Sequence, residues 1–175
     1  AAVSFSRSPK DGDRRSLDHT SNIIRALKEN VQALRVDHRI HARFDMTYTD
    51  AISALEGLLV AGVVDLVSVM DHTPGQGQYR SVEKLISYRV RGGSSEEQAR
   101  AEIQNRMENA VPADILLNNL ENVSRLCKVH GVAMASHDDD TVEKANLMAD
   151  VGAVIAEFPV TMEAAEVAKA RGLMI

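Results

Sequence analysis

Short apolar runs alternate with helical patterns along the whole chain, and this alternation restricts the possible folds more than any other feature. Six runs are typical of strands, at 1–5, 37–46, 63–70, 132–136, 154–158 and 173–175. Strands separated by helices pair in parallel through right-handed crossovers. We therefore expect an α/β protein with about six parallel strands.

One connection is much longer than a crossover needs. Ser94-Ser95-Glu96-Glu97-Gln98 has the pattern of a capping box that opens a helix, and Pro112 interrupts that helix. A second helix is predicted from Ala113, with Gly131 as its stop. We predict a loop and two-helix insertion over 73–131, of the kind that often covers a site.

The chain opens and closes inside strand-like runs, and a closed (β/α)₈ barrel has eight strands. We therefore expect residues 1–175 to be a single partial TIM barrel that lacks the first and last strands, with the helical insertion after the fourth strand. The uncovered edges of such an arc predict association into a homodimer or higher oligomer. A complete doubly wound module that binds a ligand or Mg²⁺ is the alternative, and strand order distinguishes the two.

Composition excludes several classes of partner. The net charge is −5, and the three Tyr and three Phe, with no Trp, offer few platforms for base stacking, so a nucleic acid is not expected. There is no apolar run of membrane-spanning length and no signal-peptide pattern, so we expect no membrane contact. A cytoplasmic location fits the single cysteine, Cys127.

Four polar residues come at or just after the ends of predicted strands. They are Asp45, His72, His137 and Glu157. The carboxyl ends of parallel strands lie on one edge, so these side chains can converge. Imidazole and carboxylate are the usual ligands of zinc and similar ions in hydrolases, where the metal activates water. Taken singly, Asp45 could cap a helix, His72 could be a turn residue, and Glu157 could pair with Arg39 or Arg43.

His137 opens the run Asp138-Asp139-Asp140, directly after the apolar stretch Val132–Ala135 and Ser136. A buried strand that ends in such a group is typical of barrel enzymes. The alternative is that Asp139 and Asp140 only cap the next helix. His38 and His41 resemble a ligand pair, but residues three apart on a strand face opposite sides.

Three motifs occur together in one group of proteins: Asp71-His72-Thr73-Pro74-Gly75-Gln76, Ala135-Ser136-His137-Asp138-Asp139 and Ala156-Glu157-Phe158-Pro159. The chain resembles the phosphonate-metabolism hydrolases of the amidohydrolase superfamily over nearly its whole length. The segment from His38 to Phe44 also fits that group. The resemblance implies a metal-dependent barrel that releases pyrophosphate from a phosphorylated small molecule, a ribose 5-triphosphate ester carrying a 1-phosphonate.

The resemblance also implies that His137 would be a metal ligand and that His72 would bind metal or phosphate. In the hydrolase interpretation of the chain, His137, His72 and Asp45 would hold a divalent metal, with zinc the first candidate, and Asp138 and Asp139 are the candidate catalytic carboxylates beside it. Substrate contacts would come from Arg80, Lys84, Glu157, Gln76 and the backbone N–H groups around Gly75. The family usually has Glu at Asp45 and Arg at Gly77, and the expected first and last barrel strands would carry further catalytic groups. An inactive scaffold is therefore a third interpretation of this chain.

Overall fold

The structure, a computed structural model, describes residues 1–5 and 16–175. Five parallel strands form one sheet in the order in which they occur along the chain. They are β1 (Ala2–Phe5), β2 (His41–Asp45), β3 (Leu66–Met70), β4 (Ala133–His137) and β5 (Ile155–Glu157). The α/β class and the parallel sheet are confirmed. The predicted sixth strand is present only as a bridge between Ile155 and Met174.

Seven helices connect and cover these strands. They are α1 (Leu17–Glu29), α2 (Ile52–Val60), α3 (Val82–Arg91), α4 (Glu96–Glu108), α5 (Ala113–His130), α6 (Val142–Val151) and α7 (Met162–Ala170). Most start at a serine or threonine whose hydroxyl accepts a backbone N–H three residues on; for α4 the predicted capping box of Ser95 and Gln98 is confirmed. Gly131 ends α5 in the left-handed conformation, as predicted.

The two faces of the sheet differ in chemistry. Ile40, just before β2, and Ala42 and Phe44 on β2 are fully buried in the main core. That core also takes residues from α1, α2, α5, α6 and α7, which contact one another in this order. The opposite face is polar and carries His41, Arg43, Asp45, Ser68, His137 and Glu157. The main helix layer therefore covers only one face.

The sheet is open, so a closed barrel is not observed. Its strand order has no reversal, which a doubly wound sheet would require, and that fold would also place helices on both faces. In the described residues both features therefore count against the doubly wound alternative. The described sheet therefore has sequential parallel strands, a helix layer on one face and polar side chains on the other.

The insertion differs from its prediction in the number of helices. It follows the third strand of this chain, which is the fourth when the expected first barrel strand is counted, and it contains three helices rather than two, because the pattern over 82–91 also forms a helix. Helix α5 belongs to the main layer and is the crossover to β4. The inserted part is α3 and α4, which pack on each other around Leu85, Ile86, Ala99 and Ile103.

The described ranges contain no helix with the length and apolar character needed to span a bilayer.

Candidate active site

The polar groups predicted to converge do lie along one edge of the sheet. Asp45, His137 and Glu157 are the last residues of β2, β4 and β5, and His72 comes two residues after β3. The structure brings them together as two histidine–carboxylate pairs. Asp45 pairs with His72, and Glu157 pairs with His137.

The first pair joins the ends of β2 and β3. Nδ1 of His72 lies 3.1 Å from Oδ2 of Asp45. The other oxygen, Oδ1, accepts the backbone N–H of Thr47 at 3.0 Å and its hydroxyl at 2.6 Å. Burial acts to raise the pKa of Asp45, but the hydrogen bonds from His72 and Thr47 outweigh it and lower the pKa. Asp45 is therefore an ionised acceptor in a local turn rather than a helix cap, and Nδ1 of His72 carries the proton.

The second pair joins the ends of β4 and β5. Nδ1 of His137 lies 3.1 Å from Oε2 of Glu157, and Nε2 lies 2.9 Å from Nη2 of Arg43. A guanidinium can only donate, so Nε2 accepts and Nδ1 carries the proton. The hydrogen bonds therefore assign a neutral imidazole to His137, oriented by Glu157. Glu157 pairs with this histidine rather than with Arg39 or Arg43.

Three residues of this cluster were not predicted as site residues: His41, Arg43 and Ser68. Nε2 of His41 lies 2.8 Å from the Ser68 hydroxyl and 3.7 Å from Oε1 of Glu157. Burial lowers the pKa of His41; the negative charge of Glu157 acts against this, and the positive charge of Arg43 lowers the pKa further. His41 is therefore neutral near pH 7. His41, Arg43 and Asp45 alternate along β2 and therefore share one face of the sheet.

The three consecutive aspartates have three different environments. Asp138 adopts a left-handed backbone with φ 57°, and its Oδ2 lies 3.6 Å from Nε2 of His137. Asp139 is 1% exposed and accepts the Ser136 hydroxyl. Burial raises the pKa of Asp139, since the hydrogen bond from Ser136 only partly offsets it. Asp138 thus lies at the rim, whereas Asp139 is shielded from any substrate.

The capping interpretation of Asp139 and Asp140 is wrong, because Thr141 caps α6. Asp140 instead accepts the backbone N–H of Gly77 at 2.8 Å. At Gly77, with φ 56°, a Cβ would lie 3.3 Å from the Asp138 carbonyl oxygen. The loop after β3 is therefore fixed closely against the loop after β4.

The groups predicted to bind phosphate are mostly engaged within the protein. The N–H of Gly75 donates to the Tyr79 carbonyl at 3.0 Å, and the side-chain amide of Gln76 donates to Asp71. Arg80 and Lys84 are exposed beside this loop, so they are available to an anion. Arg106 of α4 donates to the His72 carbonyl at 2.7 Å, which connects the insertion to the rim.

The predicted metal ligands do not form a ligand set in this arrangement. Nε2 of His137 already accepts from Arg43, and Oδ2 of Asp45 faces His72. Within residues 1–5 and 16–175, no three or more His, Cys, Asp or Glu side chains are placed to hold an ion. The donor chemistry suits a divalent metal, but the geometry does not fit one.

No established family profile matches the chain. The chain is 34% identical over 166 residues to the alpha-D-ribose 1-methylphosphonate 5-triphosphate diphosphatase of Escherichia coli (strain K12). The alignment covers 94% of this chain and 43% of that protein. It therefore includes both histidine–carboxylate pairs and nearly every described element. The chain is a relative of this diphosphatase across a segment that spans less than half of that protein's length.

Proposed function

We propose that this chain is part of a hydrolase that acts on a phosphorylated small molecule in phosphonate metabolism. The observation that carries the proposal is the 34% identity over 94% of the chain to a named diphosphatase. The rim supports it independently, because two histidine–carboxylate pairs lie at the carboxyl edge of a parallel sheet. In α/β enzymes this edge is where catalytic groups are found.

The finer proposal is that the substrate is a ribose 1-methylphosphonate 5-triphosphate and that pyrophosphate is released. We further propose that the open sheet is an arc of a (β/α)₈ barrel in a cytoplasmic enzyme. The uninterrupted strand order and the single-sided helix layer support the barrel. Zinc or another divalent metal is the expected cofactor. His137, His72 and Asp45 are its proposed ligands, and their side chains would have to leave the hydrogen bonds described above to coordinate it.

In the described arrangement His72 is a hydrogen-bonded base and not a metal ligand, and it is the residue best placed for proton transfer. Its Nδ1 is held by the buried Asp45 carboxylate, whereas Nε2 has no hydrogen-bond partner within residues 1–5 and 16–175, and the side chain is 26% exposed. In the proposed reaction Nε2 takes a proton from the attacking water, and Asp45 stabilises the imidazolium that forms. Asp138, at the rim, is placed to orient that water, whereas the burial of Asp139 makes it a support for the β4 end.

Pyrophosphate release from the ribose 5-triphosphate ester tests the function. It should be measured for this chain and for a protein of the relative's length that contains it. We expect His72→Asn to lower kcat by roughly 10²–10⁴-fold, the usual contribution of a general base. His19→Asn is the matched control, since His19 is exposed on α1. Absence of release in both proteins, or equal rates for the two variants, contradicts the proposal.

A further inference from the structure

Arg43 holds the position beyond His137 that a metal would take. Its Nη2 donates to Nε2 of His137 at 2.9 Å and also contacts Sδ of Met70 at 3.2 Å. Glu157 fixes the other nitrogen of the ring, so the Nε2 lone pair points at the guanidinium. A carboxylate on one imidazole nitrogen and a cation on the other is how proteins present histidine to a metal. Here that cation is the arginine.

The Arg43 guanidinium has few strong partners for a charged group in a partly buried site. Among the described residues no carboxylate oxygen lies within 4.0 Å of it, whereas ten other ion pairs meet that limit. Its Nε is buried and has no hydrogen-bond partner there. Neutral acceptors stabilise a guanidinium less than carboxylates do. Arg43 would therefore lose few favourable contacts if it moved away from His137.

We propose that Arg43 blocks His137 as a metal ligand and competes with a divalent cation of the imidazole-binding class, such as Zn²⁺, for Nε2. One lone pair cannot accept from Arg43 and bind an ion, and the two positive charges repel each other. Arg43 thereby sets the affinity of the rim for metal. The inference concerns the same site as the proposed function, but its test measures ion binding and not turnover, so the two can fail separately.

The test is the Zn²⁺ affinity of this chain, measured by competition with a chromophoric chelator. Arg43→Gln should raise the affinity by roughly 10- to 100-fold, the equivalent of one charge-assisted hydrogen bond. Arg39→Gln is the matched control, because it makes the same charge change on a side chain that is 85% exposed. Arg43→Lys, which keeps the positive charge, should bind no better than the unmodified chain. Equal affinity of the two glutamine variants overturns the proposal.

Two further measurements keep the proposal testable. In Arg43→Gln combined with His137→Ala the gain should disappear, and a gain that persists overturns the role of Nε2. If Arg43→Gln does not fold, the unmodified chain is titrated with excess Zn²⁺ while the Arg43 Nε–H resonance is followed by NMR. We expect that resonance to shift as zinc binds. Zinc binding that leaves it unchanged contradicts the competition.

Discussion

Two residues of the rim have a backbone conformation that side chains disfavour. Asp138 and Phe158 follow β4 and β5 directly and have φ 57° and 56°. The Asp138 N–H donates to the Glu157 carbonyl at 3.0 Å, and the Phe158 ring meets His137 edge-on at 5.6 Å. Positive φ outside glycine is uncommon and often marks functional sites. Both left-handed turns adjoin the His137–Glu157 pair.

Replacing Asp138 by glycine and by alanine separates this strain from the carboxylate. Both variants remove the carboxylate, and only alanine keeps a Cβ in the left-handed region. We expect Asp138→Gly to be more stable than Asp138→Ala by about 1 kcal/mol. Alanine has the energetic cost of a Cβ in the left-handed region, and glycine has the smaller cost of losing more backbone freedom on folding. Urea unfolding of the two variants measures the difference. An alanine variant of equal or greater stability contradicts the strain.

Part of this site could be predicted from the sequence. Strand order alone was enough to find Asp45, His72, His137 and Glu157, because parallel strands bring their carboxyl ends to one edge of the sheet. Arg43 and His41 were readable from the alternation of β2 but were not included. The bond from Gly77 to Asp140 spans 63 residues. No local sequence pattern could show that the Gly77 N–H donates to Asp140 and is therefore not available to a phosphate.

At the scale of the elements, Asp65 links α1, β2 and β3. Its Oδ2 accepts the Ile40 N–H at 2.7 Å and lies 3.4 Å from Nζ of Lys28, and Oδ1 accepts from Arg39 at 3.1 Å. Partial burial acts to raise the pKa of Asp65. The hydrogen bonds from Ile40, Arg39 and Lys28 outweigh it, so the pKa lies below its usual value.

Asp65→Asn should therefore destabilise the protein in a pH-dependent way. A lowered pKa in the folded state contributes stability above the unfolded value, about 3.9, and that stability is lost as pH falls through the folded pKa. We expect a loss of about 1–2 kcal/mol at pH 7 that shrinks at pH 3, measured by urea unfolding. Asp150→Asn is the control, because its pair with Arg171 is exposed and worth less. A difference independent of pH rejects this assignment.

The α3–α4 hairpin should unfold separately from the sheet. Ile103 is 1% exposed in the small cluster of the hairpin, and Leu120 is 2% exposed in the main core. Replacing either by alanine should cost about 2–5 kcal/mol. For Ile103→Ala we expect faster hydrogen exchange over 82–108 alone, and for Leu120→Ala faster exchange in the strands as well. Faster exchange in the strands of Ile103→Ala contradicts this independence.

The elements themselves were largely predictable, because strand and helix periods differ and the caps are explicit. Helix α3 was not predicted. Its ten residues include Val82, Tyr88 and Val90, types that also favour strands. Only Leu85 and Ile86 are buried in it, so its apolar stripe is narrow. The strand limits were uncertain for another reason, since they depend on which backbone groups find partners across the sheet.

At the scale of the whole molecule, the edge beyond β5 is apolar and exposed. Met174, which makes the single bridge to β5, and Ile175 after it are 62% and 65% exposed. Beyond the single bridge to Met174, no described strand pairs with β5 on that side. An uncovered edge of this kind favours pairing with further strands or with another copy.

We therefore expect this chain to self-associate through the open edge beside β5. Light scattering over a range of concentrations should show a dimer or larger species. Met174→Lys with Ile175→Lys should shift the population towards monomer, and Val36→Lys, an exposed change elsewhere, should not. A strictly monomeric chain at high concentration contradicts the expectation. The sequence predicted an open edge of the sheet. Which surface pairs with that edge also depends on the partner, and the sequence of one chain does not specify it.

The turn between α3 and α4 has a practical consequence. Gly92 and Gly93 lie at the outer end of a hairpin whose own cluster keeps it folded, and its other end touches the rim through Arg106. A second folded unit spliced into this turn would leave the strand pairing intact. A spliced unit that changes shape when it binds a drug or a peptide could transmit that change through Arg106 to the His72 backbone, and the protein could then be engineered as a biosensor.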